Sequence, residues 1–219
     1  CTIQDSIHVF SLVHKYVSSI LGTYQNKGFS CLFDLLRKSI KYQSHFFLYT
    51  IAKTGLRFSE AQGLDITPNC IDRERLCFKI TRTYKIYGKR TGWGKTKNPQ
   101  SVREVPFDEE YLKALDEYME SGYKENVDNR MFTGVSSNAA NKVLKRITGQ
   151  DGFSCHGLRH TYVSYLIYND INVVSIARIV GHKDATETLK TYAHIFEKKK
   201  IADFEQVRKL FGVDLGQAN

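Results

Sequence analysis

The segment His156-Gly157-Leu158-Arg159-His160-Thr161 carries side-chain types that handle phosphate. His156 and Arg159 stand three residues apart, so on a helix they share a polar face beside the apolar spacing of Leu158, Tyr162 and Leu166. An arginine near the free N–H groups of a helix start can hold phosphate oxygens through a pair of parallel hydrogen bonds. His156 and His160, four apart, also have the spacing of a metal pair. They lack the glutamate of an H-E-x-x-H helix and a third ligand, so phosphate binding is the stronger reading.

A second group, Val180-Gly181-His182-Lys183-Asp184, follows a helical apolar pattern (Val173, Ile176, Ala177, Val180) that Gly181 ends. His182 is therefore expected in a loop, where its imidazole can donate to a ligand. Ten residues on stands Tyr192, in phase with Leu189 and Phe196. Taken alone, it would be a packing residue. The third group, Thr54-Gly55-Leu56-Arg57-Phe58-Ser59-Glu60-Ala61, puts Arg57 at a turn between helices, flanked by apolar Leu56 and Phe58. A guanidinium leaving an apolar turn needs a partner, and either Glu60 or a ligand phosphate would serve.

Composition says what kind of molecule positions these groups. Of 219 residues 42% are hydrophobic, with 13 Tyr and 13 Phe, enough for a large packed core. Lys and Arg total 32 against 23 Asp and Glu, a net charge of +9. Such a balance favours a polyanionic partner, nucleic acid before an anionic membrane surface. The charge is uneven: from Arg75 to Lys97 there are eight cations and no acid, with Tyr84, Tyr87 and Trp93 interleaved. Within that strip Lys79, Arg82, Lys85, Lys89, Arg90 and Lys97 are expected to lie along a phosphate backbone, with the rings available for stacking. No apolar run approaches the roughly 18 residues of a membrane span. Five cysteines, odd in number and without a C-x-x-C pair, fit reduced thiols in a cytoplasmic protein and no structural metal.

Ile7, Phe10, Val13 and Val17 recur at helical spacing before Gly22 and the Gln25-Asn26-Lys27-Gly28 stretch break the pattern. With Cys1 where an initiating Met would stand, residues 1–28 are expected to be a helix and linker left from an upstream DNA-binding domain. Helices are then expected from Ser30 as N-cap, over 45–53 with Gly55 as the stop, and briefly over 60–62 with Ser59 as cap. Between 64 and 107 the period falls to two: Leu76, Phe78 and Ile80 alternate with Cys77, Lys79 and Thr81, and 101–106 repeats the alternation. The stretch between, about 85–99, reads as a loop rich in Gly, Lys and Arg. Helices return at about 108–121, 136–148, 155–169, 173–180, 186–195 and 198–211. The expected fold is α+β and mainly α-helical, with a small antiparallel sheet and a long basic β-hairpin.

In order and spacing, the three groups and the hairpin between them resemble the tyrosine recombinase (phage integrase) family. TGLRFSEAQGL matches its first-arginine box, HGLRHTYVSYLI its second, and VGHKDATETLKTYAH its closing histidine–tyrosine box, over about residues 30 to 196. The resemblance implies a catalytic domain, here 29–196, that breaks and rejoins DNA strands without metal or other cofactor, through a 3′-phosphotyrosyl intermediate. It implies that Arg57 and Arg159 grip the non-bridging oxygens of the scissile phosphate. His156 and His182 would hydrogen-bond the same phosphate, His156 also accepting the tyrosine proton, and Tyr192 would be the nucleophile. Two arginines and a lysine would then supply the positive charge that a metal ion supplies elsewhere. The family's hairpin lysine, general acid toward the departing 5′-hydroxyl, falls on Lys95, because the Lys95-Thr96 pair matches the usual form. Lys97, two residues on and on the same face of an extended strand, is the alternative.

Beyond Tyr192, Glu197-Lys198-Lys199-Lys200 leads into Ile201, Phe204, Val207, Leu210 and Phe211, one apolar stripe of an amphipathic helix within 197–219. That helix either packs on its own domain or docks into a neighbouring copy; the resemblance implies docking, in a homotetramer on DNA. The expected function is site-specific recombination for a mobile element, acting on double-stranded DNA at attachment sites. One alternative is a type IB topoisomerase relaxing a single duplex as a monomer, against which stand the closing histidine–tyrosine box and the C-terminal helix. Another is a DNA-binding regulator with vestigial chemistry, against which stands an intact six-residue set. A membrane-surface protein would need a basic amphipathic helix, and the basic strip here is a hairpin.

Overall fold

A computed structural model describes residues 27–86, 91–149 and 151–212. The helix and linker expected over 1–28 thus lie, save the last two residues, outside the described residues, as do Lys89 and Arg90 of the basic strip. Helix α1 (Lys27–Arg37) starts before Ser30, which is inside the helix and not its cap. Helix α2 (Gln43–Thr54) is the centre of the core: Phe46, Phe47, Leu48, Tyr49 and Ile51 are fully buried, so it is apolar all round. Phe46 stacks on Tyr118 with ring centroids 4.4 Å apart.

Gly55 ends α2 in the left-handed conformation, φ 64°, and its N–H returns to the Ile51 carbonyl. A Cβ at this position would also run into the Tyr162 ring. Gly55→Ala therefore combines backbone strain with overpacking. A loss of about 3 kcal/mol is expected, read from the shift of the urea unfolding midpoint.

Helix α3 (Phe58–Gln62) begins at Arg57, not at Ser59: the Arg57 backbone N–H donates to the Glu60 carboxylate at 2.9 Å. A carboxylate three residues in reaches back more readily than a hydroxyl one residue in. Strands β1 (Ile71–Asp72), β2 (Cys77–Ile80) and, after β3 (Arg82–Lys85) and β4 (Gly92–Lys95), β5 (Arg103–Pro106) make an antiparallel sheet in the order β1-β2-β5. Phe78 faces Val105 and Ile80 faces Arg103 across it.

The basic β-hairpin expected here is present, and its second strand lies within the 85–99 stretch that reads as loop. β3 and β4 pair as a two-stranded ribbon, with Tyr84 opposite Trp93 and Arg82 opposite Lys95. Gly92 and Gly94 hide the alternation, since a glycine contributes no side chain to either face. Rings and cations hold the ribbon. Tyr84 meets Trp93 edge-on at 5.2 Å, Arg82 lies 3.6 Å over Trp93, and Arg130 lies 3.6 Å over Tyr84. These two rings, expected to be available for stacking, have guanidinium groups on their faces instead.

Helices α4 (Glu109–Ser121), α5 (Ser137–Thr148), α6 (Cys155–Tyr168) and α7 (Val173–Val180) follow, each capped by a side chain: Asp108, Ser136, Ser154 and Asn172. Helix α6 is expected to be amphipathic on Leu158, Tyr162 and Leu166; Leu166 is only partly buried, while Arg159, Thr161, Val163 and Ser164 are buried beside Leu158 and Tyr162, because elements pack on several sides of the helix. The helices expected at 186–195 and 198–211 are one, α8 (Ala185–Phe211), broken only by the non-helical backbone of Tyr192 (φ −115°, ψ 18°). Val163, Ile167, Ile176, Val180, Tyr192 and Ile195 form a second apolar cluster that ties α6, α7 and α8 together.

Candidate active site

Two helix C-termini build the centre. Each leaves carbonyls without an intrahelical donor, and each ends on a left-handed glycine, Gly55 after α2 and Gly181 after α7. Both arginines use those carbonyls. Arg159 donates to Gly55 O at 2.8 Å and Val180 O at 2.6 Å; Arg57 donates to Gly181 O at 2.9 Å and Val180 O at 3.4 Å. The negative end of each helix dipole favours a cation here. Arg159 is 4% exposed, whereas the Arg57 side chain keeps 22% of its surface. Burial, with Arg57 beside it, draws the Arg159 guanidinium down to about 9.

Glu60 is the anion of the cluster. Its carboxylate accepts from Arg57 Nη1 at 2.8 Å and from both Nη atoms of Arg103 at 3.1 and 3.0 Å. Burial pushes the Glu60 carboxyl up, but Arg103 first and Arg57 next hold it below its ordinary value. Arg103, from β5, also donates to the carbonyls of Ile179 and Ser101. Three guanidiniums (Arg57, Arg103, Arg159) thus face one carboxylate (Glu60), an excess of two positive charges. Buried charge without a counter-charge is costly, so the site is built for an anion.

The histidines and the tyrosine surround that excess. His156 is at the exposed rim of α6, yet local packing, with Arg159 and Arg57, still lowers its proton affinity. His182 follows Gly181 in the loop and bonds Thr188 Oγ1 through Nδ1 at 2.8 Å. Burial, with Arg159 near, draws it down to about 4. Tyr192 does not reach outward: it is 3% exposed, and its Oη lies 2.7 Å from His160 Nδ1. Its expected companion Leu189 is 42% exposed; the buried stripe is Thr188, Tyr192 and Ile195.

The structure therefore gathers Arg57, His156, Arg159, His182 and Tyr192, and adds Glu60, Arg103 and His160 to them. Lys95 is not gathered: it is exposed at the end of β4, and among the described residues no hydrogen bond or ion pair joins it to the cluster. Lys97 lies beyond β4, where Thr96 Oγ1 turns to Asn98 O, so strand alternation does not carry it to the face of Lys95. Of the other basic-strip residues, Lys79 pairs with Asp72 at 2.9 Å and Arg82 with Asp65 at 3.0 Å, while Lys85 and Lys97 are exposed. Among the described residues no group of three or more His, Cys, Asp or Glu is placed to hold a metal ion, and no helix is long and apolar enough to cross a membrane.

His160 and His182 give the fold a pH signature. Burial draws His160 to about 3, helped by His156, Arg159 and His182, against an ordinary 6.5. Both rings are neutral when folded, whereas the unfolded chain binds protons as pH falls below 6.5. Depressed histidine values mean stability is whole above 6.5 and drains as pH falls toward 4 and then 3. Urea unfolding midpoints should be level between about pH 7 and 8 and decline steadily below that window.

The fold and this cluster define a tyrosine recombinase catalytic domain, and the chain belongs to the phage integrase family, whose profile matches residues 14–199. It is 25% identical over 162 residues to the tyrosine recombinase XerC of Corynebacterium efficiens, which covers 70% of this chain and 46% of that protein. It is 26% identical over 178 residues to the integrase of Staphylococcus phage L54a, 73% of this chain and 50% of that one. The chain thus spans about half the length of the curated relatives it matches. In fold it is similar to the Tn1549 transposon integrase solved in complex with transposon right end DNA, with a TM-score of 0.63 at 21% identity over 81% of this chain and 63% of that one. It is similar also to XerA recombinase, with a TM-score of 0.58 at 19% identity over 82% and 61% of the two chains.

Proposed function

We propose that this chain is the catalytic part of a mobile element's site-specific recombinase, cutting and rejoining double-stranded DNA at attachment sites through a 3′-phosphotyrosyl bond. The observation that carries the reading is the buried excess of two positive charges beside Tyr192, a cradle for one phosphodiester. Arg57, the more open guanidinium, and Arg159 take the non-bridging oxygens; the charge that grows there in the transition state meets donors already in place. His156 and His182 donate to the same phosphate. Tyr192 attacks phosphorus, and Lys95 protonates the departing 5′-oxygen once bound DNA draws the ribbon in. Lys95 is favoured over Lys97 because β4 ends with it.

The C-terminal part of α8 supports a multimeric enzyme over a monomeric topoisomerase. Phe204, Val207, Leu210 and Phe211 are 56%, 50%, 74% and 82% exposed, a stripe that a neighbouring copy would cover in a homotetramer on DNA. Residues 1–28 would lead from an upstream DNA-binding domain. The relatives support the setting: one is a phage integrase, and another fold of this kind was solved with transposon DNA.

A pool of nicked duplexes with randomised sequence tests the reading, because a nick beside the cleavage point lets the cut fragment diffuse away and traps the adduct. The chain is expected to yield covalent protein–DNA adduct, and peptide mass spectrometry to place it on Tyr192. Adduct on another residue, or none from the pool, overturns it.

A further inference from the structure

Tyr192 Oη touches a base, and that base is not His156. The hydrogen bond of 2.7 Å runs to Nδ1 of His160, one helical turn further along α6, with the two ring centroids 5.7 Å apart. His156 and His160 meet edge to face at 4.5 Å, His156 toward solvent and His160 inward. The phenol is closed off from water, at 3% exposure, and its ring is clamped in the cluster that includes Val163, Val180 and Ile195. A hydroxyl in such a place can pass its proton only to a group it already touches.

The direction of the bond follows from the surroundings. Burial pushes the Tyr192 phenol up, so the proton stays on oxygen. Burial, then His156, Arg159 and His182, keep the His160 ring neutral. The phenol therefore donates, Nδ1 accepts, and the ring's own hydrogen sits on Nε2. We propose that His160 is the proton acceptor for Tyr192 during strand cleavage, an assignment that rests on the reading of Tyr192 as nucleophile. As the Oη–P bond forms and the P–O5′ bond breaks, the phenolic proton moves to Nδ1 and Lys95 gives a proton to O5′. Rejoining runs in reverse: O5′ returns its proton to Lys95 and attacks, and His160 hands its proton back to Oη. A scissile phosphate arriving at Arg159 brings a negative charge among the cations that hold His160 neutral, so the ring gains proton affinity in the complex where transfer occurs.

His160→Asn separates this role from positioning, because the Asn carbonyl oxygen can stand near the place of Nδ1 and accept the hydrogen bond but cannot take the proton. On the nicked duplex recovered from the randomised pool, the variant is expected to form adduct about 10²-fold more slowly than the parent chain. Placing 3,5-difluorotyrosine at position 192 of the same variant should restore about tenfold, since a more acidic phenol asks less of its base. A variant that cleaves at the parent rate overturns the assignment. So does a slow variant that gains nothing from the fluorinated tyrosine. His160→Gln, which likewise cannot take the proton, is expected to be slow too, and a Gln variant at the parent rate also overturns the assignment; near-ultraviolet circular dichroism shows that both variants are folded. Failure of the underlying reading is separately visible: the parent chain would then form no adduct, or form it away from Tyr192.

Discussion

Tyr192→Phe is expected to lower covalent adduct formation on a nicked duplex by about 10⁴-fold or more while leaving DNA affinity unaltered. The change removes one oxygen from a ring whose packing stays intact, because Tyr192 sits with Val163, Ile176, Val180 and Ile195 in the cluster that ties α6, α7 and α8. What folding loses is the hydrogen bond to His160, whose Nδ1 is then left without its donor, at about 1 kcal/mol. A denaturing gel of the trapped complex and a filter-binding titration at fixed salt check both halves. Adduct that survives the substitution would show that another residue attacks. Lost binding would show that the hydrogen bond from the Tyr192 hydroxyl to His160 holds the site's shape.

The backbone around Tyr192 explains why a packed residue can carry a reacting oxygen. Helix α8 breaks its regular dihedrals at Tyr192 alone, φ −115° and ψ 18°, so the phenol is aimed by the break as well as by the stripe. Thr188, four residues earlier and fully buried, holds His182 through Oγ1. One helix thereby positions two members of the cluster.

Much of this was legible in the chain. Gly55 and Gly181 mark helix ends by the conformation they alone adopt easily, and those ends fix where Arg57, Arg159 and His182 can be. The spacing of His156 and Arg159 is a property of one helix and needs no tertiary information. Arg103 is different. On β5 it reads as one more cation in a short alternating strand, and only the approach of α3 and α7 gives it Glu60 and Ile179 as partners. His160 was visible as a residue type, but its tie to Tyr192 crosses 32 positions of sequence. Thr188 and Leu189 stand four and three residues before Tyr192, so both fit its helical phase, and tertiary packing buries Thr188 while leaving Leu189 42% exposed. Local periodicity reports helix faces; it does not report which face a distant element will cover.

Glu60→Ala is expected to destabilise the fold by about 3–5 kcal/mol, the cost of breaking a buried charge pair from one side. Glu60 is 2% exposed and Arg103 is 6% exposed at its side chain, so neither Arg103 nor the half-buried Arg57 can recover the loss from water. The Arg57 N–H that starts α3 loses its acceptor as well. Because the Glu60 carboxyl is held below its ordinary 4.5, its contribution is present above that pH and lost as pH falls through the depressed value; wild type and variant should converge in strong acid. Glu60→Gln keeps the shape and some hydrogen bonds, and should lose less. It also raises the excess of positive charge from two to three, since the three guanidiniums remain and the carboxylate is gone. Sulfate should therefore raise the unfolding midpoint of Glu60→Gln more than that of the parent chain, since an anion that binds the folded site stabilises it by mass action. An equal shift in both proteins would mean that Glu60 does not set the charge of the phosphate cradle.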